Sequence, residues 1–179
     1  MRRIAIWAGL ALVLIGAGWG VGSNEHILAD GRVVLLELAP VDPRSLMQGD
    51  YMALDYALAN ELWREHRNAG REGRNSSGAS SFPDRQDGYA VVRLDERQLA
   101  TLVRAQPKAE PLGADEIAIR YRVRNGRFRI ATNAFFFQEG HGSEFNAARY
   151  GEFRVSSAGE PRLTAMLDAD FKRLGDNRY

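Results

Sequence analysis

An uncharged N-terminal stretch, residues 4–22, limits what this chain can fold into more than any other feature. As an α-helix it would rise about 28 Å, close to the ~30 Å hydrocarbon core of a bilayer. Arg2 and Arg3 precede the stretch and Glu25 follows it. Because basic residues favour the cytoplasmic side, this asymmetry places the N-terminus in the cytoplasm. The sequence therefore predicts a single-pass membrane anchor over residues 1–24.

A cleaved signal peptide is the alternative interpretation of the same stretch. Signal peptides have a shorter apolar region that ends in a small-x-small cleavage site. Residues 18–23 read Gly-Trp-Gly-Val-Gly-Ser and offer no Ala-x-Ala site. A retained signal-anchor is therefore favoured. The expected location is the bacterial inner membrane, with residues 25–179 forming one periplasmic, β-rich domain.

The glycines of the anchor are spaced as in packed membrane helices. Gly16 and Gly20 are four residues apart, as are Gly18 and Gly22. Small residues at this spacing let two transmembrane backbones approach closely. Gly16 and Gly20 are therefore candidates for contact with a partner helix. The alternative is that glycine is simply frequent in membrane segments.

Composition excludes several classes of site. The chain has no cysteine, which rules out disulfides, zinc–thiolate sites and cysteine nucleophiles. Its 24 basic and 23 acidic residues nearly balance, so no general attraction to nucleic acid follows. No cofactor is indicated, and nucleic acid would be an unexpected partner outside the cytoplasm.

Beyond the anchor, short apolar runs alternate with turn residues. The pattern predicts a mainly β fold: a barrel- or sandwich-like sheet of about seven to eight strands with one or two short helices. The clearest element is a hairpin around Asn125-Gly126, because this dipeptide suits a type I′ turn. Residues 68–87 are rich in Gly, Ser, Asn and Arg and are expected to form a mobile loop. Strands are predicted at residues 33–38, 51–56, 89–94, 99–103, 117–123, 128–134, 152–156 and 162–167, and helices at 57–67 and 144–150.

Residues 49–56 read Gly-Asp-Tyr-Met-Ala-Leu-Asp-Tyr and match the signature Gly-Asp-Tyr-x-x-Leu-x-Tyr. Residues 136–144 add an aromatic run followed by Glu-Gly-x-Gly and an acidic residue, with Phe137-Gln138 where Val-Pro is usual. The chain thus resembles the bacterial GDYXXLXY family of membrane-anchored proteins over most of residues 27–156. The resemblance implies an anchored extracytoplasmic domain that accompanies multi-pass membrane proteins, and it implies no activity. The matched positions are Gly49, Asp50, Tyr51, Leu54 and Tyr56.

The signature also has a direct physical interpretation. Gly49 and Asp50 suit a tight turn, because glycine permits positive φ and a short aspartate bonds to nearby N–H groups. Tyr51 and Tyr56 lie on opposite faces of an ideal strand, so one should pack inward and the other outward. Two interpretations follow. The segment is either a core strand that begins at a sterically restricted turn, or a ligand site at that turn.

The hairpin predicts a face made of arginines. Alternation places Ile119 and Tyr121 on one side and basic residues on the other. With a two-residue turn, arginines lie directly opposite one another, which is destabilising. Acidic residues on neighbouring strands, for example Asp95, Glu96 or Glu152, could offset this repulsion; otherwise the face would meet anionic lipid headgroups or an acidic loop of a partner. The members of the face are Arg120, Arg122, Arg124, Arg127 and Arg129.

Two further segments carry weak candidate sites. Glu139, His141 and Glu144 form a weak candidate for a cation or acid–base site, although zinc usually takes more nitrogen or sulfur ligands. Ser45 before Gly-Asp is weakly similar to the serine segment of signal peptidases, but a Ser–Lys nucleophile needs a buried lysine, and Lys108 lies in a polar connection. No catalytic residue is predicted.

The sequence thus favours a non-enzymatic accessory domain that partners a multi-pass membrane protein. An envelope hydrolase or peptidase with a signal-peptidase-like β fold is one alternative, and a cation- or small-ligand-binding module is the other.

Overall fold

A computed structural model describes residues 7, 10, 12–16, 27–39, 47–48, 51–72 and 85–177, with no side-chain description at 47–48 and 69–72. Within these ranges, no helix is both long and apolar enough to cross a bilayer. The anchor over residues 1–24 therefore stays a prediction. Gly20, Ser45, Gly49 and Asp50 lie outside the described residues.

One long helix and several short strands make up the described domain. Helix α1 spans Ala57–Glu72, and a single 3-10 turn spans Gly142–Phe145. The strands are β1 (Arg32–Glu37), β2 (Met47–Gln48), β3 (Tyr51–Ala53), β4 (Arg85–Leu94), β5 (Ala100–Gln106), β6 (Glu116–Arg124), β7 (Arg127–Ile130), β8 (Ala134–Phe136), β9 (Tyr150–Val155), β10 (Pro161–Leu167) and β11 (Arg173–Asp176).

The strands form three antiparallel sheets. Sheet A has the order β1-β9-β10-β11, sheet B the order β2-β3-β8, and sheet C the order β5-β4-β6-β7. The prediction of a mainly β fold is confirmed, but the described strands close no barrel. The prediction of one sheet of seven to eight strands is wrong. Sheet B explains the difference. The aromatic run after the hairpin pairs with β3 instead of extending sheet C, with Met52 opposite Phe135.

The core forms where the apolar faces of these elements meet. Alternation along β9 buries Phe153 and Val155, and helical spacing on α1 buries Leu58 and Leu62. Phe135 is fully buried and lies edge-on against Phe145, with ring centroids 4.8 Å apart. Burying such a side chain contributes roughly 1.5–3 kcal/mol.

Most predicted elements are confirmed, and several boundaries are corrected. Both ends of the loop expected at 68–87 are regular structure, because α1 continues to Glu72 and β4 begins at Arg85, and residues 73–84 lie outside the described residues. The helix expected at 144–150 is the 3-10 turn, and β9 already begins at Tyr150. The predicted last strand pair is β9 and β10, but β11 follows it and pairs with β10.

Candidate anion-binding cleft

The hairpin β6–β7 separates apolar from basic side chains as predicted. Tyr121, Val123 and Ile130 are buried, whereas Arg122 and Arg129 are exposed. Burial raises the pKa of Tyr121, which keeps its phenol neutral. The turn residues Asn125 and Gly126 have φ values of 52° and 69°, the positive angles that a type I′ turn needs.

The strand register places arginines against each other. Arg122 lies opposite Arg129, and Arg124 lies opposite Arg127, as the two-residue turn predicts. Side chains of directly opposed residues share a face, with Cβ atoms about 5 Å apart. Intramolecular acids or a bound anion would therefore stabilise this face.

Two carboxylates compensate part of this charge. Asp87 on β4 accepts hydrogen bonds from Arg124 at 2.8 Å and from Arg120 at 3.4 Å. Glu160, beside the start of β10, accepts from Arg120 at 2.5 Å. The hydrogen bond from Arg124 is the main cause that lowers the pKa of Asp87, and the bond to Glu160 raises the pKa of Arg120. Asp87 and Arg120 are therefore both charged at neutral pH.

The acidic residues that offset the arginines are not the ones that the sequence suggested. Glu152 instead accepts from Thr164 at 2.7 Å and lies 3.6 Å from Arg173. Asp95 accepts the N–H groups of its own turn, and Glu96 makes no ion pair among the described residues. Those predictions were wrong because strand order, which sequence alone does not give, brings β4 and the β9–β10 turn beside β6.

A cleft of about 490 Å³ opens beside this face, between the hairpin and the start of β10. Arg162 joins the cleft from β10, a residue that sequence reasoning missed because it lies in a different sheet. Arg122, Arg129 and Arg162 form no ion pair within the part of the chain that the structure describes. The cleft is lined by Arg120, Arg122, Arg124, Arg129, Ala131, Thr132, Asn133, Glu160, Pro161, Arg162 and Leu163.

The signature tyrosine Tyr56 fixes one wall of the cleft. Its hydroxyl donates to the carbonyl oxygen of Thr132 at 2.7 Å, and the N–H of Leu54 donates to the carbonyl oxygen of Asn133 at 2.8 Å. Ala131 beside them has a φ of 53°, which is unusual for a residue with a Cβ. The signature therefore holds the segment that leads from β7 to β8 in an uncommon conformation.

Of the two signature tyrosines, Tyr56 is buried and Tyr51 is half-buried, which confirms that one packs inward. The strand ends at Ala53, however, so the two tyrosines do not lie on opposite faces of one continuous strand. The ring of Tyr51 lies 6.0 Å from that of Phe136 on the neighbouring strand.

The opposite wall depends on the turn between β9 and β10. The N–H of Arg120 donates to the carbonyl oxygen of Gly159 at 2.8 Å, which ties this turn to β6. Gly159 has a φ of 80°, and a Cβ there would lie 2.9 Å from the carbonyl oxygen of Ala118. The glycine thus permits the close approach that brings Glu160 to Arg120.

The candidate cation site is incomplete. His141 Nδ1 lies 2.7 Å from Glu144 Oε1, and both side chains are exposed. Glu139 does not join them, since no group of three metal-ligating side chains occurs in the described ranges. These three weak candidates do not converge, because the 3-10 turn at Gly142–Phe145 brings only His141 and Glu144 together.

The candidate Ser–Lys pair also lacks its base. Lys108 is exposed in the connection between β5 and β6, whereas a nucleophile of this class needs a lysine that burial keeps neutral, so that its amine can accept a proton. Of the two anchor glycines, Gly16 is described. No atom of the described residues lies within 4 Å of the position that a Cβ on Gly16 would take.

Comparisons with known proteins give one match. Residues 13–166 match the model of a protein family described as GDYXXLXY protein. This range includes the signature, the arginine hairpin and most of β10. No curated protein and no solved structure matches the chain.

Proposed function

The chain belongs to the GDYXXLXY family, and on this premise we propose that it is a non-enzymatic accessory protein of the bacterial inner membrane. Residues 1–24 anchor it, residues 25–179 lie on the periplasmic side, and the protein partners a multi-pass membrane protein.

The arginine cleft is the observation that carries this proposal. Three of its arginines form no ion pair in the described chain, and two of them, Arg122 and Arg129, face each other directly. Asp87 lies opposite Arg122 on the neighbouring strand, but its carboxylate is bound by Arg120 and Arg124. Such an arrangement destabilises the isolated fold, so a binding role accounts for it better than a structural role. An accessory protein is held in place by its contacts with other molecules, and a surface that binds an anionic group supplies such a contact.

The described part of the N-terminal segment supports the anchor. Leu12 is 73% exposed and Ile15 is 69% exposed on helical backbone, which is unfavourable in water and favourable in lipid. Among the described residues, Gly16 leaves an open notch on the same segment, where another helix can approach. Extraction of membranes at alkaline pH tests the anchor: the chain should stay in the pellet until detergent is added. Its release at high pH would contradict the anchor.

Cross-linking in native membranes tests the partner. We expect the wild-type chain to recover one multi-pass membrane protein, and Gly16→Leu with Gly20→Leu to reduce that yield several-fold by filling the notch. Ala11→Leu with Ala17→Leu is the control, since it adds nearly the same bulk at positions outside the Gly16 and Gly20 spacing. Recovery of no membrane protein above background with the wild-type chain would overturn the partnership.

A further inference from the structure

The cleft lies at the end of sheet A from which the N-terminal segment departs. Arg32 at the start of β1 pairs with Val155, and Val155 pairs in turn with Pro161 at the start of β10. Since neighbouring strands are about 4.8 Å apart, the start of β1 and the cleft wall at Pro161 are about 10 Å apart.

Both chain segments leave the sheet in one direction. β1 and β10 are each antiparallel to β9, so they run parallel to each other, and the residues before them lie at the same end. Arg154 strengthens this arrangement. It is the cross-strand neighbour of Arg162, and its Nη1 donates to the carbonyl oxygen of Gly31 at 3.0 Å.

Only a short connection separates this end of the sheet from the anchor. Residues 25–30 join the anchor to Gly31, and a fully extended chain spans at most about 3.6 Å per residue. Residues 27–30 are helical, which shortens the connection further. An anchored chain therefore holds the arginine cleft within about 20–30 Å of the membrane surface.

The unpaired arginines converge on one place. Arg122 and Arg129 project from the same face of the hairpin, directly across from each other, and Arg162 approaches from the other wall. Arg120 and Arg124 already hold carboxylates. The remaining donors suit an anion with several oxygens, and a phosphate accepts paired N–H groups from more than one guanidinium.

We propose that the cleft binds the phosphate of an anionic phospholipid headgroup, held by Arg122, Arg129 and Arg162. The proposal rests on the anchor in the proposed function but not on the multi-pass partner. Binding turns the arginine face toward the membrane and relieves the repulsion between Arg122 and Arg129. Anionic lipid also attracts basic side chains near the surface, which adds to the specific contact.

Lipid titration of the full chain tests this. The protein, solubilised in a zwitterionic detergent, is titrated with short-chain phosphatidylglycerol and, separately, with short-chain phosphatidylcholine, and binding is followed by calorimetry. The cleft variant carries Arg122→Ala, Arg129→Ala and Arg162→Ala. The matched control carries Arg64→Ala, Arg93→Ala and Arg149→Ala, which removes the same charge from exposed arginines that lie outside the arginine face and do not line the cleft.

We expect the wild type and the control to prefer phosphatidylglycerol, and the cleft variant to lose at least about tenfold in its affinity, as expected for the loss of charge-assisted hydrogen bonds. Arg162→Ala alone should lose part of this affinity, and it stands in for the triple variant if the latter unfolds. Equal losses in the cleft and control variants would overturn the proposal.

Two further probes decide the source of the anion. Inorganic phosphate that competes as strongly as phosphatidylglycerol would identify a soluble phosphate site and overturn the lipid assignment. If a glutamate-rich peptide bound more tightly than the lipid, the ligand of the cleft would be an acidic segment of a protein, and the lipid assignment would be overturned. Neither outcome overturns the cross-linked partner, so the proposed function and this inference can fail separately.

Discussion

The phenolic hydroxyl of Tyr56 donates a hydrogen bond of 2.7 Å to the carbonyl oxygen of Thr132. Tyr56 is the last fixed residue of the family signature, and Thr132 lines the arginine cleft. The two residues are far apart in sequence, so this contact links the signature to the cleft. It gives the signature a structural role that also positions the proposed site.

Removing this hydroxyl should weaken both the fold and the cleft. Tyr56→Phe leaves a partly buried carbonyl oxygen without its donor, which costs about 1–2 kcal/mol of unfolding free energy. Denaturant unfolding measures this cost. The variant should also bind phosphatidylglycerol more weakly, because the Thr132 wall is released.

Tyr150→Phe is the control for this change. Tyr150 stacks on Phe171 with ring centroids 4.6 Å apart, and its hydroxyl has no hydrogen-bond partner among the described residues. We expect its loss to change stability by less than about 0.5 kcal/mol. Equal effects of the two substitutions would show that the Tyr56 hydroxyl bond is unimportant.

Reversing the charge at one arginine of the hairpin should stabilise the protein. Arg129→Glu turns the like-charge pair with Arg122 into an opposite-charge pair, which is worth roughly 0.2–1 kcal/mol. Added salt should shrink this gain, because screening weakens both the repulsion and the new attraction. Thermal unfolding at low and high ionic strength measures the effect. A destabilised Arg129→Glu at low salt would mean that the repulsion is already relieved within the chain.

Two turn glycines should differ in their tolerance of a side chain. Gly159→Ala adds a Cβ 2.9 Å from the Ala118 carbonyl oxygen at a φ of 80°, and should cost roughly 2–4 kcal/mol. Gly126→Ala has a φ of 69° but open space around it, and should cost about 1 kcal/mol. Chemical denaturation of both variants gives the comparison. Similar costs would contradict the close packing of the β9–β10 turn.

Glu116 should make stability depend on pH in the acidic range. Arg104 holds its carboxylate with two hydrogen bonds of 2.7 and 2.8 Å, and the N–H of Gly113 donates a third at 2.8 Å. These bonds, those from Arg104 first, lower the pKa of Glu116 from 4.5 to about 2. The unfolded chain therefore binds this proton more readily, and stability should fall as the pH drops from about 4.5 to about 2.

Comparison with Glu116→Gln isolates this contribution. The variant should be less stable than the wild type at neutral pH, and the difference should shrink through the same pH window. Glu96→Gln is the control, because Glu96 is exposed and makes no ion pair within the described ranges. A difference that stays constant down to pH 2 would contradict the lowered pKa.

Local patterns predicted much of this protein. The alternation in β6 and β7 and the Asn125-Gly126 turn fixed the arginine face and its register, because side-chain direction in a hairpin depends only on neighbouring residues. The signature identified the family, and the helical spacing of Leu58 and Leu62 predicted α1. These features need no knowledge of strand order.

The tertiary structure decided which residues meet. Asp87 and Glu160 neutralise Arg120 and Arg124, and Arg162 completes the cleft, because β4, β6 and the β9–β10 turn come together across long stretches of sequence. Such pairings depend on how separate apolar faces pack into one core, which no local period encodes. The sequence therefore predicted an arginine face, and packing of distant strands made part of that face a cleft.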